Sequence, residues 1–313
     1  MKIVIITGCL GFMGAYFTRK ALARGWQVRG IDKMTYAANP NLLQEFSKYP
    51  NFQFEKRDIK NIKRLYDCDY IINFAAESHV GNSIINSEDF INSNILGVKN
   101  LLDLIRHKPE NINNKPILFH ISTDEVYGDI SDGAHTETDI LKPSNPYSAA
   151  KASGDMLINA WARTYGIEYV ILRPTNNYGT GQYPEKLIPL SVKNLERSKK
   201  IRLHDQGSPT RNWLHADDTA EAVLAIIDSG NINNVAGGFE QTNAETVRKI
   251  IKAYFGTDKN WEQYVDFNAH REGQDVRYAL NDRKLKDLGW EPKKNFDEEI
   301  QKVVNYYKNN FIW

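Results

Sequence analysis

Cysteine is nearly absent from this chain of 313 residues, with Cys9 and Cys68 the only two. Two such thiols make neither a disulfide framework nor a metal-ligand set, so reduced thiols in a cytoplasmic setting are the expectation. Net charge is equally scarce. Lys and Arg total 40 against 39 Asp and Glu, a formal +1, which leaves no whole-chain field to draw in a nucleic acid. The basic run Arg197-Ser198-Lys199-Lys200 reads as a solvated helix end. Long apolar runs are missing too. No segment is long enough to span a membrane, and the apolar start of the chain is interrupted by Gly8, Gly11 and Gly14, with no clean signal-cleavage site behind it. Internal repeats and low-complexity tracts are also lacking.

What is present is an alternation of apolar runs and helical patterns. Lys2–Ile6 is short, apolar and β-branched, as in a buried parallel strand. Thr7-Gly8-Cys9-Leu10-Gly11-Phe12-Met13-Gly14 follows, with glycines spaced Gly-x-x-Gly-x-x-Gly, and then a helix pattern that runs to Arg24 and stops at Gly25. A glycine turn between strand and helix lets backbone approach a pyrophosphate at the helix N-terminus, which makes Gly8, Gly11, Phe12, Met13 and Gly14 candidate dinucleotide contacts. Asp32 closes the second strand, Gln27–Ile31, where a carboxylate suits ribose hydroxyls and repels a 2′-phosphate. This favours NAD, with Lys33 beside it as a mild counter-argument that keeps NADP open. Strands are further expected at Phe52–Phe54, Tyr70–Phe74, Pro116–Ile121 and Tyr169–Leu172. Asp58 and Ile59 could reach an adenine, and the small pair Ala75-Ala76 lets backbone pass close to a cofactor. His79 could touch cofactor or substrate, or be a satisfied loop histidine. One helix is expected over Ile91–Ile105, with Ile91, Ile95, Val98, Leu101, Leu102 and Ile105 on one face, and another over Tyr147–Tyr165. Strand following helix throughout predicts an α/β fold, a doubly wound parallel sheet with right-handed crossovers.

The chemistry concentrates between Ile121 and Lys151. Thr123, Tyr147 and Lys151 bring together a hydroxyl, a phenol and an ammonium. Lys151 lies one helical turn from Tyr147 on the same face, where its charge would favour the phenolate. Lowering a phenol by about three pH units takes roughly 4 kcal/mol, within reach of that ammonium plus a cationic nicotinamide ring. Such a Tyr can take the proton of an alcohol while hydride leaves the same carbon. The adjacent carboxyls Asp124 and Glu125 go beyond alcohol oxidation. Beside a new ketone, one can remove a C–H proton and the other can help a hydroxyl leave as water, since two close carboxyls resist ionising together. Neighbours on a regular strand point to opposite faces, so both can serve one site only if the strand ends near Thr123.

After Arg173-Pro174 the chain turns polar and loop-rich. Lys186, Arg211 and Arg271 are candidate diphosphate ligands, each also readable as a surface ion pair. The apolar positions Phe296, Ile300, Val303, Val304, Tyr307 and Phe311 stand at helical spacing and are expected to be core. The division expected is a dinucleotide unit over 1–173 with 213–230, and a smaller, partly interleaved α/β substrate unit over 174–212 and 231–313.

These residues resemble a known family. The glycine loop and Tyr-x-x-x-Lys are similar to the extended short-chain dehydrogenases/reductases, with their Rossmann sheet. Ser122-Thr123-Asp124-Glu125-Val126-Tyr127-Gly128 resembles, within them, the nucleotide-sugar 4,6-dehydratases of the dTDP-glucose type, and the likeness covers nearly the whole chain. It implies tightly held NAD, C4 oxidation by Tyr147 with Lys151 and Thr123, C5 proton removal by Glu125, protonation of the C6 hydroxyl by Asp124, and hydride return to C6. It also implies a homodimer through the 91–105 and 147–165 helices, and substrate contacts from His79, Asn176, Asn177, Lys186, Leu187, Arg211, Asn234, Arg271 and Gln274. Gly81-Asn82 stands where the family usually has Asp-Arg. His270 and Glu272 flank Arg271 where it usually has Asp and Pro, and Gln274 stands where it usually has His. These last departures, in the region expected to hold the nucleotide, leave dTDP, UDP, GDP and CDP sugars open. A 4-epimerase or a uronate decarboxylase on the same fold would have no work for Asp124 or Glu125. A non-catalytic NAD-sensing protein would predict a damaged Tyr/Lys pair, and this one is intact.

Overall fold

The structure, a computed structural model, describes residues 1–108, 115–227, 231–269 and 275–309. Along the first part of the chain run β1 (Ile3–Thr7), α1 (Phe12–Ala23), β2 (Gln27–Asp32), α2 (Asn41–Phe46), β3 (Phe52–Lys56), β4 (Tyr70–Asn73), α3 (Val80–Ile85), α4 (Glu88–Ile91), α5 (Gly97–Arg106), β5 (Ile117–Ile121), α6 (Pro146–Tyr165) and β6 (Tyr169–Pro174). The remainder holds β7 (Asn176–Tyr178), α7 (Leu187–Glu196), β8 (Ile201–His204), β9 (Thr210–His215), α8 (Ala216–Ile226), β10 (Asn231–Val235), β11 (Glu240–Thr242), α9 (Asn243–Phe255), β12 (Val265–Ala269), α10 (Arg283–Lys286) and α11 (Phe296–Asn309).

Seven strands form the main sheet in the order β10-β6-β5-β4-β1-β2-β3, and every pairing in it is parallel. Strand alternation sorts its side chains onto two cores. Val4 and Ile6 pack on one face with Phe17 and Leu22 of α1 and Val223 and Ile226 of α8. Ile5, Ile71 and Leu118 pack on the other with Leu101 and Ile105 of α5 and Ile158 of α6. Both faces are covered, which is why the strands read as nearly continuous apolar runs.

The helix expected over Ile91–Ile105 is not one regular helix. A π-helical segment over Asn92–Leu96 separates α4 from α5. Val98, Leu101, Leu102 and Ile105 are buried as their spacing requires, but Ile91 is 44% exposed and Ile95 packs beside Tyr147 instead. The wider turn rotates everything before it off the α5 face, so the 3.6-residue period fails there.

The smaller unit has the sheet β11-β9-β7, the parallel pair β12-β8, and helices α7, α9 and α11 around two further cores. In α11 Phe296, Ile300, Val303, Val304 and Tyr307 are buried, and Phe311 lies outside the described residues. Asn231–Val235, grouped with the smaller unit on sequence grounds, instead hydrogen-bonds to β6 as the edge strand of the main sheet.

Candidate active site

A cleft runs along the carboxyl ends of β1, β2, β4, β5 and β6 and encloses about 1500 Å³ of non-protein space, its open mouth included. Its centre lies where the strand order reverses between β1 and β4, the usual ligand crevice of such sheets. Local chemistry explains why the backbone comes so close there. Gly8 has φ +69°, and a Cβ on it would stand 2.7 Å from the Ala75 nitrogen. A Cβ on Gly14, in the first turn of α1, would stand 2.1 Å from the Gly8 carbonyl oxygen. Only glycine lets the turn fold back on the helix N-terminus and leave its amides facing the cleft.

Gly8, Gly11, Phe12, Met13, Gly14, Asp32, Lys33, Asp58, Ile59, Ala75 and Ala76 all line this cleft. The Asp32 carboxylate accepts from the backbone N–H of Leu10 (3.0 Å) and Met34 (2.7 Å), bracing the glycine turn from the end of β2. Burial pushes its pKa up. Lys33 points away from any counter-ion role toward a 2′-phosphate: its ammonium sits 2.9 Å from Glu77 and donates to Ser93 at 2.8 Å. Asp58 caps the short turn that follows it by accepting from the Lys60 N–H. The donor set thus fits a dinucleotide with a free 2′-hydroxyl.

The strand does end before the carboxyl pair. β5 stops at Ile121, Thr123 caps a 3₁₀ turn over Asp124–Tyr127, and its hydroxyl accepts from the Glu125 N–H at 3.3 Å. The tightened turn lets Thr123, Asp124 and Glu125 all line one cleft. Tyr147 and Lys151 face them from the start of α6, where Asn145 and Ser148 make a capping box and Pro146 opens the helix. Tyr147 shares the cleft with Thr123, and its backbone N–H donates to Ser83 Oγ at 3.2 Å.

The two carboxyls differ. Asp124 is buried, its Oδ2 has no partner, and burial plus the charge of Glu125 pushes its pKa to about 7. Glu125 is partly exposed and is raised by burial, while Arg211 and Lys186 pull it back down. Asn145 Nδ2 and the Tyr278 hydroxyl each reach Glu125 Oε2 at 3.4 Å. One acid and one base therefore coexist near neutral pH.

The expected lowering of the phenol is not supplied by Lys151. Burial and the charge of Glu125 raise the Tyr147 pKa instead. The Lys151 ammonium donates to the Ile121 carbonyl at 2.6 Å and touches His120 Nε2 at 3.4 Å, and burial lowers its own pKa to about 8. Sharing a helix face does not bring the ammonium to the phenol, because the nearest acceptor is the end of β5.

On the other wall, Asn176, Asn177 and Lys186 line the cleft, and Lys186 donates to the Ser78 carbonyl at 2.6 Å. Four expected substrate contacts do not line the cleft. His79 does not line the cleft; its ring caps α3 by accepting from the Asn82 N–H. Leu187 packs into the smaller unit's cores. Arg211 is buried and donates to the carbonyls of Thr210 (2.8 Å) and Asp275 (3.0 Å). Asn234 is fully buried and spent on Tyr127, His135 and Asn281. Arg271 and Gln274 lie outside the described residues. Residues not foreseen also line the cleft, among them Glu77, Ser93, Gln182, Tyr183 and Glu185. Ser93 sits on the π-helical segment, a feature that recurs at functional sites but leaves no mark in apolar spacing.

Comparison with known proteins places this geometry among relatives. Residues 5–303 match the family model described as GDP-mannose 4,6 dehydratase. The chain is 37% identical to the low-salt glycan biosynthesis protein Agl12 of Haloferax volcanii, over 97% of this chain and 98% of that one. It is 36% identical to a dTDP-glucose 4,6-dehydratase of Haemophilus influenzae, over 99% of each. It superposes with a TM-score of 0.91 at 35% identity on the crystal structure of DesIV, a dTDP-glucose 4,6-dehydratase of Streptomyces venezuelae with NAD and dTDP bound, covering 98% of this chain and 97% of that one.

Proposed function

The chain belongs to the GDP-mannose 4,6 dehydratase family, and from that premise we propose that it takes dTDP-glucose, with UDP-glucose as second choice, to the 4-keto-6-deoxy sugar nucleotide. It is an NAD-dependent nucleotide-sugar 4,6-dehydratase on a Rossmann sheet. The observation that carries the reading is the carboxyl pair: Asp124, protonated up to a pKa of about 7, and Glu125 line one cleft with Tyr147. A 4-epimerase or decarboxylase needs the phenol but not that pair.

The glycine turn, Asp32, Asp58 and Ala75-Ala76 would hold the cofactor. Bound NAD supplies the acceptor for the C4 hydride, later the hydride for C6, and a positive charge that opposes the upward push on the Tyr147 phenol. Tyr147, with Thr123 in the same cleft, takes the C4 hydroxyl proton as C4 becomes a ketone. Glu125 removes the C5 proton, which the new ketone has made acidic. Asp124 gives its proton to the C6 hydroxyl, which leaves as water, and a C5–C6 double bond forms. Asn176, Asn177 and Lys186 would bind the nucleotide sugar.

Three further features belong to this proposal. The chain divides into a dinucleotide unit over 1–173 with 213–230 and a substrate unit over the rest, with β10 moved to the first. It pairs as a homodimer through the 91–105 and 147–165 helices, a reading supported by the exposed Ile91, Leu96 and Met156 on those segments. It works in the cytoplasm. No helix among the described residues is long and apolar enough to cross a membrane.

The test is mass spectrometry of the protein incubated with dTDP-, UDP-, GDP- and CDP-hexoses and no added reductant. Loss of one water from a dTDP- or UDP-hexose is expected. An unchanged mass with a new C4 epimer by NMR, or loss of carbon dioxide from a uronate, would replace the dehydratase reading.

A further inference from the structure

Against Glu125 lies a line of hydrogen-bonding groups, two of them, Tyr278 and Asp275, from the smaller unit. Tyr278 is 3% exposed, and its hydroxyl reaches Glu125 Oε2 at 3.4 Å. The same hydroxyl hydrogen-bonds to Asp275 Oδ2, and Asp275 is equally buried. Ser144 Oγ donates to that Asp275 oxygen at 2.6 Å, and Ser144 is exposed to solvent. The Arg211 guanidinium lies 4.8 Å over the Tyr278 ring and fixes the Asp275 backbone through its carbonyl. The line therefore runs from the Glu125 carboxyl through two buried groups to bulk water: Glu125, Tyr278, Asp275, Ser144.

Hydrogen counting gives the line a direction. A phenol carries one proton, and here it stands between two carboxyl oxygens. While it donates to Asp275, its own lone pair faces Glu125 and is best met by a protonated Glu125. While it donates to Glu125, Asp275 is the carboxyl left to carry the extra proton. Burial and both carboxyl charges hold Tyr278 itself protonated, so the group passes a proton without resting as phenolate.

We propose that Tyr278 is a positioning residue that relays the proton taken from C5 by Glu125 to Asp275 and, through Ser144, to solvent. The step balances. Glu125 gains the C5 proton while the C–H electron pair stays on the sugar. Glu125 then gives a proton to the Tyr278 oxygen as Tyr278 gives its own to Asp275, leaving Glu125 a carboxylate again; the same line run in reverse returns a solvent proton to Glu125, which places it on C5 as hydride returns to C6. Nothing is oxidised or reduced. The relay rests on the dehydratase reading above, and it explains why the substrate unit sends a buried Tyr–Asp pair against a base that belongs to the dinucleotide unit.

The experiment compares wild type, Tyr278→Phe and Ser144→Ala, each as the NAD-loaded full chain mixed with dTDP-glucose in deuterium oxide. Two steps are followed separately: the transient absorbance of reduced nicotinamide, which reports C4 oxidation, and deuterium at C5 with water loss, by NMR and mass spectrometry. In Tyr278→Phe the nicotinamide should be reduced at the wild-type rate. Deuterium entry at C5 and water loss should slow by about ten- to a hundredfold, less than removal of a general base itself costs. Ser144→Ala, a surface change that leaves the core intact, should slow deuterium entry in the same direction and by less. Wild-type deuterium entry in Tyr278→Phe overturns the relay. So does an equal slowing of both steps, which a merely structural Tyr278 would give, and so does a wild-type product without solvent deuterium at C5. If wild type neither reduces its nicotinamide nor loses water with any of the nucleotide hexoses, the dehydratase reading itself has failed and the relay falls with it.

Discussion

Two walls of one cleft were expected from sequence, and they behave differently. On the wall made by the main sheet, each residue expected to hold the dinucleotide or do the chemistry lines the cleft. Of the residues expected to touch substrate, Asn176, Asn177 and Lys186 line the cleft from the smaller unit, while Leu187 and Arg211 of that unit, and His79 and Asn234 of the main-sheet unit, do not. The difference is physical. Parallel strands with right-handed crossovers bring all their carboxyl ends to one edge, so a residue just past a strand is placed by topology. The smaller unit joins short antiparallel and parallel strands through long loops, and nothing in local spacing says which side chains those loops turn inward.

Several measurements can break or sharpen that contrast. The largest effect is expected from Tyr147→Phe, which keeps the ring but removes the proton acceptor. Turnover should fall by about a thousandfold, as for loss of a general base, with bound NAD retained in the purified protein by absorbance. Normal turnover would remove the phenol from the chemistry and leave the main-sheet wall as a binding surface.

Asp124 ties the site to pH. Its carboxyl is raised from the ordinary value to about 7, so the proton donor is lost, and turnover should drop, as pH climbs through 7. Stability follows the same sign. The folded state binds this proton more tightly than the unfolded chain does, so the cost of ionising it in the fold builds as pH rises from about 4 to 7. Asp124→Asn should therefore be the more stable protein at pH 8, by on the order of 4 kcal/mol in denaturant unfolding, and should be inactive. An unchanged stability would mean that Asp124 ionises freely.

Gly14→Ala places a methyl where the Gly8 carbonyl oxygen already stands, at 2.1 Å. The turn must move, at a cost of about 1–3 kcal/mol, and NAD content after purification should fall. Full NAD content would show that the close approach is packing alone.

The expected substrate contacts are tested by a pair. Asn234→Ala takes the acceptor from the Tyr127 hydroxyl and a donor from the His135 and Asn281 carbonyls. It should lower stability by about 1–3 kcal/mol, read by thermal melting, with the substrate KM unchanged. Lys186→Ala should do the opposite: little change in melting, and a KM raised about tenfold, equivalent to about 1.4 kcal/mol. If Asn234→Ala raised KM as Lys186→Ala does, the contrast between the walls would be wrong.

How much could be read in advance divides along the same line. Apolar runs, turn glycines and a helix N-cap are local signals, and they fixed the strands, the glycine turn and the N-terminal end of α6. The condition set for the carboxyl pair, that the strand end near Thr123, is met by a 3₁₀ turn capped by Thr123 itself. What failed were inferences from helical spacing alone. Ile91 is exposed because a π-helical segment breaks the period, and Lys151 misses the Tyr147 phenol because the Ile121 carbonyl captures its ammonium.

The residues proposed to carry this protein's chemistry were legible in the sequence: a phenol, a hydroxyl, an amine and two carboxyls at the ends of predictable elements. Only the tertiary structure decided their ionisation and their company. Whether Asp124 holds a proton depends on how far it is buried and on Glu125 beside it. Glu125 meets the Tyr278 hydroxyl, itself bonded to Asp275, and both arrive from 150 or more positions further along the chain. Burial and long-range neighbours set a charge, and neither is written in the spacing of nearby residues.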